Sequence, residues 1–376
     1  MSKTASVKMV ALAVLYLATN GAANVTTPLG WAVRSKPPVL GEKHEALVWA
    51  MNAVALEHCS QGRYQEAESA YLKAVETSRT LLGEKHKTTT SLMGNLAWFY
   101  YGRGCWDEAE SLLAKVVTLR HEMGPEDDPN TLPYMAFLGM LYTEQARYDK
   151  AEPLLTRVLQ SRRQVLGEEN QATLSSMNDL ATLYTARRRY AEAEELMAKA
   201  LKTGGRLLGE EHPITLASLN GLAVLHRDQG HYDEAEQQLA KALASRRSKL
   251  GEEHPDTLQS MNDLGALYTR QNRFADAEPL LSKALQCRRT KLGDEHPDTL
   301  ESMHELGLLR RKQTQYDQAE PLLVQALEGR NKKLGVEHPD TLGSLRCLVE
   351  LYEAWGNTEK AEQWRARLSS INTRSK

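Results

Sequence analysis

The sequence predicts an all-α solenoid of about eight stacked helical hairpins, preceded by a degenerate amino-terminal hairpin. Three observations predict it. One short segment returns at a nearly constant interval. Two apolar stripes of helical period lie between its copies. An Ala-Glu pair recurs in the second stripe of every unit.

The returning segment reads "LGEEHPDTL" at Leu250–Leu258, "LGDEHPDTL" from Leu292 and "LGVEHPDTL" from Leu334, with looser copies from Leu40, Leu82, Leu166 and Leu208. Its glycines are Gly41, Gly83, Gly124, Gly167, Gly209, Gly251, Gly293 and Gly335, in steps of 42, 41, 43, 42, 42, 42 and 42 residues. A period of this length marks a repeat array in which each unit is one supersecondary element. Such an array grows by stacking, so the chain length need not be divided into globular domains.

The segment resembles chemistry, with a histidine among carboxylates, but its spacing argues for a joint. One histidine per unit on separate turns does not supply the several ligands an ion needs within about 2 Å. Gly251 follows a helix ending in basic residues, and the expected conformation is left-handed. Pro255 stops continuation of that helix. Asp256 is the expected cap of the next one, with Gln259 as its capping-box partner; Asp298 and Glu301 repeat the pair.

Between joints, Met261, Leu264, Gly265 and Tyr268 fall at i, i+3, i+4 and i+7, one face of a helix. Gln271-Asn272-Arg273 interrupts, and Phe274, Ala277, Leu281 and Ala284 form a second stripe. Ala-Glu recurs at Ala67, Ala109, Ala151, Ala193, Ala235, Ala277, Ala319 and Ala361. Small residues also recur on the first helix, at Ala55, Ala97, Gly139, Ala181, Ala223, Gly265 and Gly307, until Val349 breaks the series. Small residues facing each other let two helices approach closely. Pro153, Pro279 and Pro321 are placed early in second helices, where a missing N–H matters little.

The pattern Leu264-Gly265, Tyr268, Phe274, Ala277, Leu281 and Ala284 resembles the tetratricopeptide repeat. The 42-residue period, the "LGxxHPDT" turns and the "YxEAEPLL" second helices resemble the kinesin light chain and nephrocystin-like group, over about residues 40–370. That resemblance implies a right-handed superhelix, a concave groove lined by first helices, and protein or peptide ligands. Kinesin light chains also carry a heptad coiled coil for the motor heavy chain. No sustained heptad precedes the array here, so motor attachment is not carried over.

Residues 1–40 are read as a degenerate capping repeat, 41–371 as the array and 372–376 as a frayed tail. "LAVLYLATNGAANV" aligns in repeat phase with "LGALYTRQNRFADA", which favours the cap. The alternative is a cleaved signal peptide, since lysines precede a short apolar run and small residues follow it. The expected compartment is the cytoplasm, or outside it on the alternative reading. That run is too short to span a bilayer well.

Formal net charge is −2, with 47 basic and 49 acidic residues, which argues against a nucleic-acid binder. The four cysteines lie in different units without a C-x-x-C pair, and are read as buried structural thiols. Neither a phosphate-binding loop nor a G-x-S-x-G elbow is present. Arg162-Arg163, Arg246-Arg247 and Arg288-Arg289 recur near second-helix ends, where they suit the helix dipole and can pair with the joint's acids.

The candidate site is the groove. One first-helix position reads Asn52, Gly94, Ala136, Asn178, Asn220, Asn262, His304 and Arg346. The asparagines resemble the peptide-binding ladder of kinesin light chains, and an amide offers both donor and acceptor to a peptide backbone. The alternative is that they tolerate a polar inner face. Trp49, Trp98, Tyr101 and Met140 make the amino-terminal groove apolar. Arg227, Arg270, Arg311, Lys312 and Arg346 make the carboxy-terminal groove basic, with Asp228 and Glu301 against them. The expected function is a non-catalytic scaffold, without metal or cofactor, for extended segments that are acidic with an aromatic or apolar anchor. The alternatives are an exported binding protein and, more weakly, an enzyme using the repeated histidine turns.

Overall fold

The computed structural model describes residues 40–125 and 127–374. The cap or signal-like segment expected over residues 1–40 lies outside them, apart from Leu40. The described residues form sixteen helices and no strand. They pair as hairpins: α1 (Leu40–Ser60) with α2 (Tyr64–Leu82), α3 (Lys87–Tyr101) with α4 (Trp106–Met123), α5 (Leu132–Glu144) with α6 (Tyr148–Leu166), and α7 (Gln171–Ala186) with α8 (Tyr190–Leu207). These belong to a first compact unit ending at Gly209. A second unit begins at Glu210. It pairs α9 (Pro213–Gln229) with α10 (Tyr232–Leu250), α11 (Pro255–Arg270) with α12 (Phe274–Leu292), α13 (Pro297–Lys312) with α14 (Tyr316–Leu334), and α15 (Pro339–Trp355) with α16 (Thr358–Arg374). The last helix continues past Asn372, where the tail is expected to begin.

Each unit is an α-solenoid. In the second, α9 packs on α11, α11 on α13 and α13 on α15, while consecutive second helices do not approach as closely. First helices therefore line the inner side of that stack.

Small residues set the hairpin spacing. The recurring alanines from Ala67 to Ala319 are fully buried. At Gly139, Gly265 and Gly307 a Cβ would come 2.7 Å from the side chains of Leu155, Leu281 and Leu323. The neighbouring leucine fills the space an alanine would take, so these helices sit at the limit of approach.

The joint is a joint, but the histidine is its cap. His254 has φ −69° and ψ 141°, and its Nδ1 accepts from the backbone N–H of Asp256 at 3.2 Å. His86, His212, His296 and His338 do the same, and Asn170 does it with Oδ1. This corrects the expectation of an Asp256 cap. A residue before proline is driven to extended backbone, which is the conformation of an N-cap. Pro255 then takes the first helical position, where its missing N–H costs nothing. Asp256 falls inside the first turn, where its charge suits the helix dipole.

Two further expectations are corrected. Gly251 has φ 90° but ψ 165°, so it is not left-handed helical; Gly83, Gly167, Gly293 and Gly335 share that conformation. Only glycine adopts it cheaply, and the Gly251 N–H still closes the previous helix on the Arg247 carbonyl at 3.1 Å. Pro153, Pro279 and Pro321 lie inside their helices, at the sixth position, not in the first turn. Each forgoes one internal hydrogen bond.

In six of the eight Ala-Glu pairs the glutamate latches one hairpin to the next. Glu68 accepts from the Tyr100 hydroxyl at 2.9 Å, Glu236 from Arg273 at 2.7 Å and Tyr268 at 3.3 Å, and Glu320 from Tyr352 at 2.6 Å and Lys360 at 2.7 Å. Glu110 pairs with Arg147, Glu152 with Arg189 and Glu278 with Arg310. The alanine and the glutamate thus act on different neighbours, one within the hairpin and one beyond it.

Candidate peptide-binding faces

The first unit presents an aromatic cluster on its first helices. Trp98 and Tyr101, at the end of α3, lie with ring centroids 5.7 Å apart. Phe137 of α5 packs 4.8 Å from Trp98 and edge-on to Tyr101 at 5.3 Å. Trp106, opening α4, stacks on Tyr101 at 6.4 Å. Trp98, Tyr101 and Met140 are half-buried and Phe137 is buried. Offset and edge-to-face packing holds such rings rigidly. Trp49 lies apart on α1, 37 % exposed. Phe137 escaped the sequence reading because it occupies no position singled out by the repeat; Trp106 stands at the second-helix aromatic position of Phe274, which the stripe assigns to packing within the hairpin.

The asparagine ladder is not an open row of amides. Asn52, Asn220, Asn262 and His304 are buried, and Asn178 is half-buried. Their contacts run between hairpins. Asn95 donates to Asn52 Oδ1 at 3.2 Å, and Asn220 donates to Asp263 Oδ2 at 2.9 Å. Cys347 Sγ meets His304 Nε2 at 3.8 Å. All three pairs join residues 43 apart. The next first helix therefore covers the amides the sequence reading left open.

A buried arginine completes this lattice. Arg288 donates to the Asp298 carbonyl at 2.9 Å, Ser302 Oγ at 2.8 Å and Gln259 Oε1 at 2.5 Å, and Ser302 donates to Asn262 Oδ1 at 3.1 Å. Arg162, Arg246 and Arg330 repeat the contact with a serine and a carbonyl of the following helix. In each double arginine the first residue is this staple. Only the second pairs with the joint, as Arg163 with Glu168, Arg247 with Glu252 and Arg289 with Asp294. The position reads Gly204 in α8. Of the cysteines only Cys287 is buried; the other three are half-buried, which corrects the expectation.

The inner face of the second unit is mixed in charge rather than basic. Arg227 is largely buried, 3.1 Å from Asp228 and 3.9 Å from Asp263. Arg270 is 47 % exposed and lies 3.4 Å from Asp228. Arg311 is paired with Glu350. Lys312 is exposed, with Nζ 3.0 Å from Asn272 Oδ1 and 3.4 Å from the Arg270 carbonyl. Burial lowers its pKa, and the charges of Arg311 and Arg270 lower it further. Arg346 is exposed on α15. The same helices carry carboxylates, Asp263 with its side chain 8 % exposed and Glu301 with its side chain 36 % exposed. Gln259 donates to Asp263 at 3.3 Å and to Glu301 at 3.5 Å, and Arg288 reaches Glu301 at 3.2 Å. Burial pushes Glu301 up to about 7 against the pull of Arg288, with Asp263, Asp298 and Glu305 adding to the rise. Glu305 is raised for the same first reason, opposed by Arg227, Arg270 and Arg330. His304 stays far below the usual imidazole value through burial and the charges of Arg330 and Arg311. Among the described residues no three His, Cys, Asp or Glu side chains are grouped to hold a metal ion.

Seven overlapping stretches, 46–122, 88–164, 131–204, 172–248, 239–290, 256–332 and 298–370, match the tetratricopeptide repeat family. The chain belongs to that family. Arrays of this family are protein-interaction scaffolds. No curated protein matches the chain. Among solved structures it is similar to the nearly identical TPR-like repeats of a kinesin light chain from Podosopora anserina, at 29 % identity over 54 % of this chain and 95 % of that one, with a TM-score of 0.42. BtubC (BKLC) from P. vanneervenii is 22 % identical over 68 % of this chain and 94 % of its own, with a TM-score of 0.42. A Rap protein complexed with Competence and Sporulation Factor is 11 % identical, covers 99 % of both chains and has a TM-score of 0.69, a likeness of fold. No described helix of this tetratricopeptide repeat protein is long and apolar enough to cross a membrane.

Proposed function

We propose that the chain is a non-catalytic scaffold whose second-unit inner face binds an acidic stretch of a partner protein. The observation that carries this reading is the crowding of Arg270, Arg311 and Lys312 at the ends of α11 and α13. Arg270 and Lys312 are exposed there, and the lysine feels both neighbouring guanidiniums. Like charges held together favour an anionic ligand. Within the first unit, the Trp98, Tyr101 and Phe137 cluster suits an aromatic or apolar anchor. The repeated histidines use Nδ1 to cap helices, which gives them a structural role and weakens the enzyme alternative. All four cysteines are free thiols, which suits a reducing compartment such as the cytoplasm. Mass analysis of the mature amino terminus tests that placement, and a start near Asn24 would favour export.

The direct test uses the partner recovered on the immobilised chain from its native extract and identified by mass spectrometry. Arg270→Glu with Lys312→Glu weakens that partner at least about tenfold, and leaves helix content unchanged. Arg311 is the poorer target because Glu350 already pairs with it. Affinity also falls as salt rises, since exposed charges are screened over about 10 Å at 0.1 M. Unchanged affinity in the double variant, without salt dependence, would place the partner elsewhere.

A further inference from the structure

The first hairpin of the second unit departs from other hairpins at the corner between its two helices. In three of those hairpins an arginine stacks on a tyrosine at this corner. Arg147 lies 4.5 Å from the Tyr142 ring centroid, Arg189 4.0 Å from Tyr184 and Arg273 4.2 Å from Tyr268. One repeat before Tyr268 and Arg273 the sequence reads His226 and His231. His226 stands in the last turn of α9, and His231 immediately precedes α10. Their ring centroids are 6.0 Å apart, with the planes at 52°. The backbone between them is fixed. The His231 N–H donates to the His226 carbonyl at 2.8 Å, and Gly230 is left-handed, with φ 87° and ψ 8°. His226 is half-buried and His231 exposed. The histidines of the joints spend Nδ1 on a backbone N–H, whereas the side chain of His231 caps nothing.

We propose that His226 and His231 bind one divalent transition-metal ion of the kind that suits imidazole: zinc, nickel or copper. Two imidazoles on one ion have centroids at most about 6.4 Å apart, given metal–nitrogen bonds of about 2.0–2.1 Å. The observed 6.0 Å lies inside that limit, and rotation of the exposed His231 ring shortens it. The tautomer of His226 is also set. Gln238 Oε1 lies 3.1 Å from His226 Nδ1 and can only accept, so Nδ1 carries the proton and Nε2 keeps its lone pair for the ion. Such an outer hydrogen bond typically accompanies a ligating histidine, where it holds the ring and raises its basicity. Among the described residues no third His, Cys, Asp or Glu completes a cluster with the pair. The remaining coordination positions are therefore open to water or to a side chain of a bound partner. Two nitrogen ligands favour these metals over magnesium and calcium, which prefer oxygen. The ion ties the end of α9 to the start of α10, at the corner that the stacked tyrosine and arginine close elsewhere. The inference stands on the histidine pair and is independent of the acidic-ligand reading.

The test uses the full chain without a histidine tag, stripped with a chelator. Half the protein ligands of a structural zinc site supply about half its binding free energy, which corresponds to a Kd of about 1–200 µM. Calorimetry at about pH 7.5 shows one such zinc site per chain, tighter binding of copper, and no binding of magnesium or calcium. Zinc at about 1 mM raises the melting temperature by about 1–5 °C. His226→Tyr with His231→Arg installs the pair that three other hairpins carry, so it keeps the fold and melts normally without metal. It weakens zinc at least about tenfold and abolishes the melting shift, while Gln238→Leu weakens zinc about tenfold by removing the outer hydrogen bond. The electron paramagnetic resonance spectrum of bound copper shows two imidazole nitrogens in the unmodified chain and one in His231→Arg. No zinc uptake by the unmodified chain would overturn the site. Uptake, melting shift and copper spectrum unchanged in the double variant would overturn it too, since the ion would then sit on other histidines.

Discussion

Arg288→Met probes the staple that joins neighbouring hairpins. The arginine side chain is 2 % exposed and donates to Asp298, Ser302, Gln259 and Glu301. Methionine fills most of the volume but donates nothing. Removing one partner of a buried charged network typically costs about 3–5 kcal/mol. Two features reduce the loss here. Ser302 keeps its bond to Asn262 Oδ1. Glu301, already raised to about 7, can take up a proton instead of remaining an unpaired charge. The expected loss is therefore about 2–4 kcal/mol. Urea denaturation gives the total, and hydrogen exchange gives its location. Protection should fall in α11 to α14 and persist elsewhere, because coupling in a solenoid passes between nearest neighbours. Arg289→Met is the control, since its pair with Asp294 is exposed and contributes at most about 1 kcal/mol. A loss below about 0.5 kcal/mol, or protection falling evenly through every hairpin, would refute the staple.

Further outcomes follow from the joints and from one unpaired carboxyl. His254→Ala costs about 1 kcal/mol by thermal melting, whereas His254→Asn stays within about 0.5 kcal/mol because Asn170 caps its helix in the same way. Gly251→Ala costs about 1–2 kcal/mol, since φ 90° with ψ 165° strains any residue with a Cβ; a neutral effect in denaturation would contradict that geometry. Asp179 Oδ2 is buried without a hydrogen-bond partner, and burial pushes this carboxyl up to about 7 against Arg162. Its folded pKa lies above the ordinary 3.8, so the folded state holds a proton that the unfolded chain has lost. Stability therefore falls as pH rises from about 4 to about 7, and stays at the lower level above. Asp179→Asn removes that part of the fall and stabilises the protein at about pH 8 by about 1–3 kcal/mol; equal melting of both proteins at that pH would show the carboxylate to be well solvated.

The repeat, its hairpins and the close approach of Ala277 to the facing helix were legible because periodicity reports which face of a helix is covered. The joint was legible as a joint for the same reason. Its cap was misplaced by two residues because aspartate is the commoner cap and a residue's own propensity ignores the proline beside it. The cap is His254, extended before Pro255, and His86 and Asn170 hold the same place and conformation with no proline after them. The ladder of Asn220 and Asn262 was legible as a ladder. Its burial was not, since a polar residue at an inner position reads alike whether water or the next helix covers it.

The sequence by itself determined the all-α repeat, the length of each unit and the turn chemistry. These depend on residues close along the chain, whose spacing translates directly into helical faces and caps. Only the tertiary structure decided the uses of Arg288, Glu278 and Asp263. Their partners lie about 13, 32 and 43 residues away, on other helices. It also turned a groove expected to be basic into one of mixed charge. Coulomb interactions depend on separation in space and on the atoms that exclude water, and the stacking of first helices sets both.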